Sequence, residues 1–169
     1  MSNSKGGQGK VATTDNSRAT DGLVKEVAIN IAKTHKVKFS NIIYTGEITP
    51  KGGKKKILPD GGAFYINNKL TIVFEAKYQQ KKGNAIERWY KNNYISRIIN
   101  PDVSYITIGA GYIKEDGGLY QGLSIAHTED RGAIGKFVKG KNSLFLKESW
   151  SDKDITSLMS NILKQYIND

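Results

Sequence analysis

Asp60, Glu75 and Lys77 form the pattern D-x14-E-x-K, and side chains of these three types can do chemistry together if the chain brings them to one place. Two adjacent carboxylates repel each other unless a cation lies between them, and hard oxygen ligands with open positions are what magnesium favours. A divalent ion held there can bind a phosphate oxygen, stabilise the charge that builds at phosphorus and activate a water at neutral pH. The Lys77 ammonium could hold or help deprotonate that water. The backbone carbonyl of Ala76 is a further candidate ligand. The bland alternative makes Asp60 a turn residue before Gly61-Gly62, and Glu75 and Lys77 an ordinary surface ion pair.

The elements around the pattern decide between these readings. Two apolar, β-branched runs, Ala63 to Ile66 and Leu70 to Phe74, flank Asn67-Asn68, a pair that tolerates the positive φ of a tight turn, so a β-hairpin is expected. With Ile66 paired to Lys69, counting outwards along both strands sets Asp60 opposite Glu75, about 5 Å apart at Cβ if no bulge at Gly61-Gly62 breaks the register. The period of a strand puts Glu75 and Lys77 on one face and turns Ala76 the other way. Leu70 to Phe74 is apolar on both alternating faces, so this strand reads as buried, and charges at the end of a buried strand are rarely idle.

The rest of the chain supplies helices and further strands. Residues 1 to 19 are rich in Gly, Ser, Asn and Lys without an apolar period and read as a flexible basic arm, followed by one domain over residues 20 to 169. Leu23, Val24, Val27, Ala28, Ile31 and Ala32 recur at helical spacing, with Thr20 or Asp21 as N-cap. Ile42-Ile43-Tyr44 reads as a short strand leading into a lysine-rich loop. Asn84 to Ile99 reads as a second helix ending at Asn100-Pro101, Val103 to Ile108, Leu119 to Ala126 and Ser143 to Lys147 as strands, and Ile155 to Tyr166 as the face of a closing helix capped by Ser151 or Asp152. This order predicts an α/β or α+β domain with a mostly β centre.

Composition narrows the function classes. The 169 residues carry a formal net charge of +10 and no cysteine, which favours a polyanionic partner such as nucleic acid and excludes disulfide frameworks and zinc fingers. No apolar run has the length of a membrane helix and no secretory leader is evident, so a soluble cytoplasmic protein is expected.

Residues 59 to 93 then carry a more specific signal: Pro59-Asp60-Gly61-Gly62, Phe74-Glu75-Ala76-Lys77, Gly83-Asn84-Ala85-Ile86-Glu87-Arg88 and Lys91-Asn92. In this segment the chain resembles the EcoRI-like type II restriction endonucleases of the PD-(D/E)xK superfamily, and MunI has a similar G-N-A-x-E-R run. The resemblance implies a restriction-endonuclease-like α/β fold, a central mixed β-sheet flanked by helices. It further implies Asp60 and Glu75 as Mg2+ ligands, Lys77 as the catalytic lysine, and products with 5′-phosphate ends. The segment Lys82, Gly83, Asn84, Ala85, Glu87 and Arg88 is implied to contact double-stranded DNA and to read a palindrome containing AATT, as a homodimer. Such a role is chemically sound, because Asn can bond the N6 and N7 edge of adenine, Arg a purine N7 or O6, and Glu an exocyclic amine. The plainer reading of Asn84 and Glu87 is a helix capping box.

Other residues are weaker candidates. Trp89, Tyr90 and Tyr94 could line a dimer interface or pack the helix into its own core. Glu26 and Glu47 precede the motif and could assist metal binding, although Glu26 sits on the polar side of its helix. His35 and His127 have no ligand spacing around them, and Gly109-Ala110-Gly111 reads as a loop. Two rivals stay open, a repair or junction-resolving nuclease of the same superfamily and a non-catalytic basic DNA-binding module.

Overall fold

The structure, a computed structural model, describes residues 24–31, 41–50, 52, 56–78, 85–110 and 132–167. Residues 24–31 are helical and are called α1. There follow β1 (Ile42–Thr45), β2 (Ala63–Ile66), β3 (Lys69–Tyr78), α2 (Ala85–Ile99), β4 (Ser104–Ala110), β5 (Ala133–Ile134), β6 (Asn142–Lys147) and α3 (Asp152–Ile167). The strands make one six-stranded sheet in the order β1-β2-β3-β4-β6-β5. It is mixed: β1, β2 and β3 are antiparallel, whereas β3, β4, β6 and β5 run parallel. The molecule is therefore α/β, with helices on both faces of a mixed sheet.

Asn67 and Asn68 make the β2–β3 turn at φ of 53° and 65°, the double positive φ that short amide side chains tolerate. The register set by that turn does not persist. Tyr65 faces Leu70 but Phe64 faces Ile72, so Thr71 is a bulge residue. The consequence is visible in the packing. Leu70 belongs to the apolar cluster around Trp89, while Ile72, two residues on, belongs to the opposite cluster. An extra residue flips the alternation of every later side chain on β3.

From Ile72 onward, Ile72, Phe74 and Ala76 face one layer, where they meet Val24, Val27, Ala28 and Ile31 of α1 and Ile155, Met159, Ile162 and Leu163 of α3. The i, i+3, i+4, i+7 spacing of the α1 residues is what makes one wall of that layer. Val73 and Tyr105 face the other layer, where Trp89 of α2 is fully buried against them, with Val103 and Leu144 beside it. α3 opens on a reciprocal cap. The Asp154 amide donates to Ser151 Oγ at 3.1 Å and the Ser151 amide donates to Asp154 Oδ2 at 3.4 Å.

Several expectations shift. The strand expected over Val103 to Ile108 runs on through Ala110, so Gly109 and Ala110 lie in β4 and not in a loop. β5 carries no periodic signal in the sequence because it is two residues long. The basic arm, the Thr20 or Asp21 cap, the run Leu119 to Ala126, His35 and His127 lie outside the described residues. Among the described residues, no helix is long and apolar enough to cross a membrane.

Candidate active site

β3 and β4 run parallel, with Glu75 level with Thr107 and Lys77 level with Gly109. Glu75 and Lys77 thus stand towards the carboxyl end of β3, beside that of the parallel β4, the end of an open α/β sheet where ligands usually bind. Both lie on the face of β3 that α2 covers.

Asp60 comes to Glu75 from the turn that precedes β2. The Gly62 amide closes this turn on the Pro59 carbonyl at 2.9 Å. Gly61 and Gly62 then both engage one residue: the Gly61 amide donates to the Phe74 carbonyl at 2.9 Å, and the Phe74 amide to the Gly62 carbonyl at 3.0 Å. One residue is inserted here on the β2 side, as Thr71 is inserted on the β3 side, and the two offsets cancel. Asp60 therefore arrives beside Glu75, as simple counting from the hairpin predicts, although neither half of the path is regular. Only glycine permits it. A Cβ on Gly61 would lie 2.6 Å from Phe74 Cβ, and Gly62 has φ +67° with the Tyr44 hydroxyl 2.5 Å from where its Cβ would be.

The two acids clasp one another through the backbone. The Asp60 amide donates to Glu75 Oε1 at 3.0 Å, and the Ala76 amide donates to Asp60 Oδ2 at 3.2 Å. The Asp60 carboxylate thus takes the place a backbone carbonyl would hold at the end of the ladder. Because the N–H and C=O of one strand residue point to the same side, the Ala76 carbonyl turns towards Asp60 as well.

Glu75 is 2% exposed. Its Oε2 accepts from Asn92 Nδ2 of α2 at 3.2 Å and from the Tyr105 hydroxyl of β4 at 3.1 Å. The Tyr105 hydroxyl is held well above the usual tyrosine range, first by burial and then by the negative charge of Glu75, so it stays protonated and donates. Three neutral donors from three elements therefore hold this carboxylate. Among the described residues no ion pair joins Lys77 to Asp60 or Glu75, so the surface ion pair expected on the bland reading is absent. Lys77 is half-buried beside Gly109, which has no side chain to crowd it.

No family model matches the chain, and no curated protein matches it.

The donor chemistry fits magnesium, which needs few protein ligands: one or two carboxylates with the remainder from carbonyl, water and phosphate. A carboxylate has about four lone-pair sites, and both of those on Oε2 are taken by Asn92 and Tyr105, which leaves Oε1, on the Asp60 side, with capacity. Asp60, Glu75 and the Ala76 carbonyl are the residues that would hold such an ion. An open cleft of about 450 Å³ reaches Asp60 and is lined by Lys25, Tyr44, Gly46, Glu47, Leu58 and Pro59 as well. Glu47 is therefore close to the site, but its carboxylate is paired with Lys56 at 3.1 Å, and Glu26 is exposed.

Of the expected DNA-reading residues, Lys82, Gly83 and Asn84 lie outside the described residues, Ala85 opens α2, and Glu87 and Arg88 are exposed in its first turns. Trp89 is not an interface residue. It is fully buried, donates from Nε1 to Thr107 Oγ1 at 3.0 Å and packs edge-on to Tyr105 with centroids 6.3 Å apart. Tyr90 and Tyr94 are exposed, together with Ile98, and the three are spaced four residues apart along one stripe of α2. Asn92 and Tyr105 had no assigned role in the pattern of acids and lysine, since nothing local in the sequence tells that they reach Glu75.

Proposed function

We propose that the protein is a Mg2+-dependent type II restriction endonuclease that cuts both strands of DNA at a short palindrome containing AATT. The observation that carries this reading is the crosswise clasp of Asp60 and Glu75, with Lys77 on the Glu75 face at the carboxyl end of a parallel strand. Support comes also from the net charge of +10 and from Glu87 and Arg88, exposed near the start of a helix that packs directly over Glu75.

In this reading Mg2+, when bound, would supply polarisation of the scissile phosphate and a lowered pKa for an attacking water. Asp60 and Glu75 would hold the cation by their negative charge, with the Ala76 carbonyl as a further ligand. Lys77 would hold that water or help deprotonate it. The oxygen of that water would bond to phosphorus as the bond from phosphorus to the 3′ oxygen breaks; the water's proton passes to solvent and the leaving 3′ oxygen takes one from solvent, leaving 5′-phosphate and 3′-hydroxyl ends. Arg88 and Glu87, with Asn84 before them, read base edges in the major groove. Two copies of the chain, related by a two-fold axis that matches the palindrome, supply one centre for each strand.

Digestion of a mapped plasmid with Mg2+ tests the proposal. Discrete fragments whose ends map to one AATT-containing palindrome are expected. A smear, or preference for branched DNA, replaces the restriction reading with a structure-directed nuclease. A second reading, a non-catalytic DNA-binding module, draws on the fact that three hydrogen bonds from the protein itself already hold Glu75. Binding without cutting under every divalent ion would establish it.

A further inference from the structure

Asn92 of α2 donates from Nδ2 to Glu75 Oε2 at 3.2 Å. It lies one helical turn after Arg88, so the two share a side of α2. The helix is seated at this level by Trp89, whose Nε1 donates to Thr107, the β4 residue level with Glu75. α2 thus carries an exposed arginine at its outer end and, four residues on, a neutral donor locked on a buried carboxylate.

We propose that Asn92 is a positioning residue that ties the seating of α2 to the orientation of the Glu75 carboxylate, so that the helix facing DNA and the divalent-ion site move as one unit. This rests on the nuclease reading above. Asn92 and Tyr105 occupy Oε2 together, which turns Oε1 to the Asp60 edge. Tyr105 holds that oxygen from the sheet, a rigid reference. Asn92 holds it from the helix, the element that also carries the exposed Arg88. Without the amide, Oε2 keeps a single donor, and the carboxylate gains rotational freedom where an ion would need it fixed.

The test measures two quantities on the full chain: Mn2+ binding, followed by loss of the free-ion EPR signal, and the Mg2+ concentration giving half-maximal plasmid cleavage. For Asn92→Ala both midpoints should rise about 10- to 100-fold, as when groups that orient metal ligands are removed. Excess Mg2+ should restore the maximal rate, and DNA affinity without metal should be unchanged. Asn92→Gln, which keeps the amide on a longer arm, should recover part of the shift, and it carries the test if the alanine variant fails to fold. A parent that binds Mn2+ and cuts, with variants sharing its midpoints, overturns the Asn92 assignment alone. A lowered maximal rate at an unchanged midpoint overturns it too. A parent that neither binds Mn2+ nor cuts overturns the nuclease reading and this inference with it.

Discussion

The main-chain amide of Asp60 donates to the side-chain carboxylate of Glu75 at 3.0 Å, so the turn carrying one acid is fastened by the other. The return contact, from the Ala76 amide to Asp60, completes a small closed loop of bonds across the ends of two strands. Neither acid can be removed without releasing part of the backbone that positions its partner.

This constrains how Glu75 should be probed. Glu75→Ala would strand the Asp60 amide, the Asn92 amide and the Tyr105 hydroxyl in a buried site, at about 1 to 3 kcal/mol each. Glu75→Gln keeps the shape and one carbonyl acceptor while removing the charge. It should remain folded by circular dichroism and bind DNA in a gel-shift assay, yet produce no plasmid fragments. Cleavage by Glu75→Gln at the parental rate would remove Glu75 from the metal site.

Gly62→Ala should destabilise the fold by roughly 1 to 3 kcal/mol, because it adds backbone strain at positive φ to a clash. Its Cβ would lie 2.5 Å from the Tyr44 hydroxyl and 2.6 Å from the Thr45 carbonyl. Urea denaturation measures the loss. A midpoint equal to that of the parent would mean that the turn into β2 is looser than described.

Arg88 is exposed and one turn into α2. If it reads a base, Arg88→Ala should lose about 1 to 3 kcal/mol of discrimination at one position of the site. The ratio of kcat/KM values on duplexes altered one base pair at a time gives this number. Selectivity unchanged at every position would reduce Arg88 to a surface charge.

Tyr94 is 68% exposed and lies between Tyr90 and Ile98 on an exposed stripe of α2. Placing a negative charge there, as in Tyr94→Glu, should dissociate a homodimer built on that stripe, since Glu is depleted at interfaces. Sedimentation velocity should show a dimeric parent and a monomeric variant. Equal sedimentation of the two moves the interface elsewhere.

Alkaline pH should unfold the protein through its tyrosines. Tyr44, Tyr65, Tyr105 and Tyr166 all have hydroxyls shifted above the ordinary tyrosine value, chiefly by burial. In the unfolded chain these groups release protons from about pH 10, whereas the folded protein keeps them. The related stability is complete below that pH and falls as pH rises through the folded values. Thermal melts should shift down as pH rises above about 10, and absorbance at 295 nm should show that the buried Tyr105 ionises only on unfolding. Full ionisation with the fold intact would contradict the burial described.

Local chemistry alone determined a good deal of this protein. Asn67-Asn68 specified the hairpin, the period of two placed Glu75 and Lys77 on one face, and helical spacing marked α2 and α3, because each of these signals acts over a few bonds of the chain. The tertiary structure decided what surrounds Glu75. Asn92 lies 17 residues away and Tyr105 lies 30, and which donors meet a buried carboxylate depends on how a helix packs on a sheet. The same holds for the arrival of Asp60. Counting placed it beside Glu75, but the bulge at Thr71 and the doubled contact of Gly61 and Gly62 on Phe74 produced that result, and their mutual cancellation is a property of two strands packed together, encoded in neither alone.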